Sequence, residues 1–91
     1  MMNMFQGADY TAFGTTNVAI KTRPGRLCRV YVNTAVTGNL VFYDNPSAAS
    51  GQILCTLVAP TQGSSILLDI PAKSGIYLTP GSAGAGIVVW S

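Results

Sequence analysis

The sequence has no histidine and no glutamate, and only eight of its 91 residues are charged: five Lys or Arg and three Asp. Without histidine there is no imidazole to serve as a general base near neutral pH or as a metal ligand. Two cysteines without histidine cannot make a four-ligand zinc site, and no CxxC spacing occurs. The three side-chain carboxylates are Asp9, Asp44 and Asp69. Asp44 stands at a turn and Asp69 alternates outward on a strand, so the two do not read as a general acid–base pair. The glycine-rich stretch 81–86, GSAGAG, lacks the Lys and the following helix of a phosphate-cradling loop, and it reads as a flexible loop. No enzyme, cofactor or metal site is expected.

Long apolar runs are also missing. The longest stretches of hydrophobic residues span four positions, 40–43 and 87–90, whereas a membrane-spanning helix needs about 20. A membrane barrel needs at least about eight strands of 9 to 11 residues, too many for this length. The first ten residues, MMNMFQGADY, have neither the basic nor the apolar region of a signal peptide. No segment shows an apolar stripe at helical period, and there is no internal repeat.

What is present is 48% hydrophobic residues, ten glycines and five prolines. The stretch 24–44, PGRLCRVYVNTAVTGNLVFYD, dominates. It reads as two strands of a hairpin joined by the turn Thr37-Gly38-Asn39. In the first strand Cys28, Val30 and Val32 share a core face, opposite Leu27, Arg29, Tyr31 and Asn33. The second, 40–43, is apolar on both faces, as is the later strand 52–58. Shorter strands are expected at 17–22, 64–70, 76–79 and 87–90. Seven short strands separated by Gly/Pro turns about ten residues apart indicate an all-β antiparallel sandwich or barrel. The domain is expected over residues 17–91, preceded by an irregular N-terminal arm over 1–16 whose Met4, Phe5, Tyr10 and Phe13 could lie on a neighbouring subunit.

Two features point to an assembly. A chain this short buries only about 63% of its unfolded surface, and 9% charge is far below the roughly 25% of ordinary soluble domains. Strands apolar on both faces leave a surplus face beyond what a two-layer sandwich needs. A homo-oligomer follows from both. Four of the five basic residues, Lys21, Arg23, Arg26 and Arg29, fall within nine positions. They read as a solvated strand edge that blocks unwanted pairing, or as a dock for an acidic protein surface. A net charge of +2 and no interleaved aromatic platform argue against nucleic acid. Cys28 and Cys55 read as buried reduced thiols. Trp90, the sole tryptophan, reads equally as an interface anchor or as a cap on the sandwich end.

The pattern PGRLCRVYVNT, GNLVFYDN, GQILCTL, IPAKSGIYL and VVW, spread over residues 17–91, resembles small structural proteins of tailed bacteriophages. That resemblance implies a virion protein assembled in the host cytoplasm. It would be a capsid decoration (cement) protein of β-sandwich or jelly-roll form, a homotrimer bound to the major capsid protein, with the basic cluster meeting acidic patches on the shell. A tail or fibre component acting as a receptor- or glycan-binding module is the alternative it implies. It carries no catalytic residues.

Overall fold

The computed structural model describes residues 8–91. Among them, β-branched and aromatic residues alternating between Gly/Pro breaks form eight strands and no helix. They are β1 (Asp9–Phe13), β2 (Val18–Lys21), β3 (Gly25–Thr37), β4 (Asn39–Tyr43), β5 (Ile53–Val58), β6 (Ser65–Ala72), β7 (Ile76–Thr79) and β8 (Ala83–Trp90). All pairings are antiparallel and build two four-stranded sheets, ordered β1-β8-β3-β6 and β2-β7-β4-β5.

The pairing is nested. β4 pairs with β5, β3 with β6, β2 with β7 and β1 with β8. The chain is therefore one long two-stranded ribbon, turned back between β4 and β5. Two further pairings, β3 with β8 and β4 with β7, roll the ribbon so that its halves face each other. The slab measures 34 × 33 × 16 Å, thin in the direction along which two sheets stack at about 10 Å.

Several expectations are corrected. Eight strands occur among the described residues, where seven were expected. The two strands expected within 24–44 are not a hairpin, because β3 and β4 lie in opposite sheets. Gly38, at φ 92°, makes the crossing in a single residue, in the left-handed region where a Cβ is penalised. Periodicity shows that two strands adjoin a turn; it cannot show whether they pair side by side or face to face. The expected arm over 1–16 is not irregular where it is described: Asp9–Phe13 is an edge strand on β8.

The glycine-rich stretch is ordered too. Residues from Ala83 onward belong to β8, wedged between β1 and β3. A Cβ on Gly86 would strike the Tyr31 carbonyl oxygen and come within 2.7 Å of the Phe13 ring. Phe13 is the cross-strand partner of Gly86, so its ring occupies the space that the glycine leaves.

The inner faces supply the core. Leu27, Val30, Val32 and Val88 from one sheet meet Leu40, Phe42, Ile76 and Leu78 from the other, with Phe13 and Ile20 at the margins. Leu27, expected opposite Cys28, is fully buried, as is Cys28. The reason is a bulge. Between Leu27 and Arg29 the ladder spends one residue of β3, none of β8 and two of β6, Leu68 and Asp69. That shift reverses the alternation at Cys28. Asp69 takes the strain at φ 54°, a conformation that Asp tolerates better than most residues.

Gly86→Ala should therefore destabilise the protein by about 2 kcal/mol through overpacking. A thermal melt should show the midpoint falling by roughly 10 °C; an unchanged midpoint would mean that β8 has slack against β3.

Candidate interaction surface

The fold disperses the predicted basic cluster. Lys21 closes β2, and its ammonium lies 5.0 Å from the centre of the Trp90 ring. Arg26 donates to Asp69 Oδ1 at 2.9 Å across β3 and β6. Both partners are exposed, so the pair contributes at most about 1 kcal/mol. Arg29 donates to Ser65 Oγ at 3.0 Å and lies 5.8 Å over the Tyr31 ring. Arg23 stands exposed in the turn between β2 and β3. Three of the four cations thus have partners within their own chain.

Of the residues expected to reach a neighbour, Met4 and Phe5 lie outside the described residues. Phe13 is buried in the core of its own chain, while Tyr10 is 66% exposed. Trp90 is half-buried against the core and opposite Leu27. Its indole Nε1 donates to Thr11 Oγ1 at 2.9 Å, which ties β8 to β1.

The two candidate acids are both engaged within the chain, Asp44 by backbone and Asp69 by a side chain. Asp44, at the end of β4, accepts from Lys73 N at 3.1 Å, Ser74 N at 2.7 Å and Gly75 N at 3.4 Å. Its carboxylate therefore pins the β6–β7 turn. Burial acts to raise its pKa, but the three N–H donors and the Lys73 charge outweigh that and hold it below the ordinary value. Asn45, not Asp44, makes the side-chain turn, accepting from Ser47 N and Ala48 N at 2.9 Å each. Asp69 is turned to Arg26. Cys28 and Cys55 are free thiols, Cys28 buried and Cys55 half-buried; burial pushes the Cys55 thiol up.

Apolar side chains also stand at the surface. Residues directly opposite in a ladder share a face, so each register gives a row of outward side chains. On the β1-β8-β3-β6 sheet one row is Tyr10, Val89, Arg29 and Leu67, and the next includes Ile87 and Tyr31. On the β2-β7-β4-β5 sheet one row is Ala19, Tyr77, Tyr43 and Ile53, and the next is Thr79, Val41 and Thr56. Leu67 is 52%, Ile53 46% and Val58 75% exposed. Strands apolar on both faces signalled these surfaces in the sequence; register was needed to assemble the rows. No family model matches the chain, and no curated protein or solved structure is significantly similar to it.

Two measurements check these contacts. Asp44→Asn turns an amide toward donors that need an acceptor, so stability at pH 7 should fall by about 1–2 kcal/mol. Because the folded pKa is lowered, the Asp44 contribution is complete above the unfolded value and fades as pH falls through the folded one. Urea melts followed by Trp90 fluorescence should show the two proteins converging below about pH 4. Trp90→Phe and Thr11→Val should each cost about 1 kcal/mol. Circular dichroism melts of the double variant should show little further loss, since both changes break one bond.

Proposed function

We propose that this chain is a non-enzymatic virion subunit, a decoration protein of a tailed-phage head that binds the assembled shell and stabilises it. The observation that carries the reading is that both broad faces of the sandwich present apolar rows in a chain with very little charge. Isolated apolar side chains on a surface are ordinary, whereas contiguous apolar faces mark sites of association. A subunit that lives in a lattice hides such faces in its neighbours.

The fold supports the same reading. Eight strands in two sheets, with nested pairing rolled on itself, fit the jelly-roll arrangement, which viral capsid and lectin domains use. Fold alone does not assign function, so the apolar faces bear the weight. On the shell, the major capsid protein is the partner, and Arg23 in the β2–β3 turn is the cation best placed to meet its acidic patches. Cementing then follows from mass action, because whatever binds only the assembled lattice stabilises it.

One observation favours a second reading, a tail or fibre module that binds a receptor or glycan. Tyr10 and Tyr31 are both exposed on the outer face of the β1-β8-β3-β6 sheet, and the Arg29 guanidinium lies over Tyr31. Aromatic rings beside a planar cation make a platform of the kind that ligands stack upon.

The test is co-sedimentation with phage heads assembled without this chain. Decoration predicts saturable binding at a fixed ratio to the capsid subunit, together with a rise in the temperature at which the shells open. Absence of binding to heads, with retention on immobilised host-surface glycans that Tyr31→Ala abolishes, would replace decoration by the tail reading. Binding to neither would overturn both.

A further inference from the structure

We infer that the outer face of the β2-β7-β4-β5 sheet is a self-association surface, covered by the same face of a second copy of this chain. The argument does not depend on the virion reading. It rests on charge, edge chemistry and area.

Charge comes first. A two-fold contact brings a patch against its own copy, so any charge it carries is set against like charge. The outer face of the β1-β8-β3-β6 sheet holds Arg29 and the Arg26–Asp69 pair. The outer rows of the other sheet, centred on Tyr43, Tyr77, Val41 and Ile53, hold no Asp, Glu, Lys or Arg among the described residues. Of the two broad faces, this one is therefore complementary to itself. The same absence of charge leaves it nothing with which to meet a nucleic acid, an acidic peptide or the headgroups of an anionic membrane.

The outward side chains of the edge strand β5 point the same way. Strands at a sheet edge are normally blunted by charge, proline or bulges, because unpaired backbone groups and apolar side chains invite association. β1 begins at Asp9, β2 ends at Lys21, and β6 contains Asp69 and Pro71. β5 (Ile53–Val58, ILCTLV) has neither charge nor proline. No charged residue occurs anywhere from 45 to 68. The one irregularity of β5 against β4 lies between Phe42 and Tyr43, leaving its second half regular. Ile53 and Val58, two of the most exposed large apolar residues, project from this strand. A second copy stacked on the sheet covers them.

The area suffices. The slab is 34 × 33 Å across its broad face, room for the roughly 800 Å² that each partner contributes to a standard interface. The stack is a four-layer pair rather than the trimer that the resemblance implies.

Light scattering over a dilution series tests the inference. The unmodified chain should run at about twice 9.5 kDa. The double variant Ile53→Lys/Val58→Lys changes exposed positions, so its melting curve should show it folded. Its dimer dissociation constant should rise at least 100-fold. Leu67→Lys, on the opposite face, should leave the dimer unchanged. The inference is overturned if the unmodified chain is monomeric throughout, if it forms a persistent trimer, if the double variant still dimerises, or if Leu67→Lys dissociates the pair equally. Shell binding by the same proteins separates this from decoration. A chain that coats heads yet stays monomeric overturns the dimer and keeps decoration; a dimer that ignores heads does the reverse.

Discussion

The sandwich closes because β8 fits between β1 and β3. Pairing of β1 with β8, β2 with β7, β3 with β6 and β4 with β5 makes only a ribbon, and a two-stranded ribbon has no interior. Once β8 also takes a place on β3, the halves of the ribbon must face each other and the core is enclosed. That place is narrow. Gly84 and Gly86 pass where the β3 backbone leaves no room for a side chain, and the Phe13 ring fills the hollow that remains. Trp90 then ends the strand against Leu27, bonded to Thr11 and roofed by Lys21. The small residues, the ring and the indole are parts of one fit.

The scarcity of charge takes on a second meaning beside that fit. Most of the charged side chains have partners within the chain, though none of them is buried. Asp44 fastens a turn, Arg26 and Asp69 brace the bulge, and Lys21 covers the indole. Arg29 is engaged by Ser65 and Tyr31. Little charge is left for the flat faces of the sheets. In an ordinary domain those faces carry most of the solvating residues; here tyrosine, valine, isoleucine and leucine stand among a few threonines and Arg29. The apolar exterior and the economical interior wiring have the same source.

The all-β class and most strand positions were legible in the sequence, because alternation and Gly/Pro breaks are local signals. So was the surplus of apolar faces, seen in residues 40–43 and 52–58. What was illegible depends on partners far away in the chain. Gly38 looks the same at a hairpin and at a crossing between sheets. The stretch 81–86 looks flexible until the β3 backbone is laid beside it. Leu27 and Cys28 are both inside only because a bulge, shared unequally by three strands, breaks the period of two. Asp9–Phe13 becomes a strand because β8 offers it an edge. The four neighbouring cations suggested a patch, but their side chains diverge to four different surroundings.

Nested pairing also sets a timetable. Asp9 and Trp90 are opposite one another in the finished sheet, yet at roughly 5–20 residues per second a ribosome makes one about 4–16 seconds after the other. The innermost pair, β4 and β5, can form first, and each outer pair must wait for its later half. Through that interval β1 has no partner and one side of β3 is open. The sheet whose centre is β8 is completed only after nearly the whole chain has emerged, so the apolar inner rows spend seconds uncovered. A protein built this way folds late, from the middle of its sequence outward, and its greatest exposure to misassociation comes before its last strand is in place.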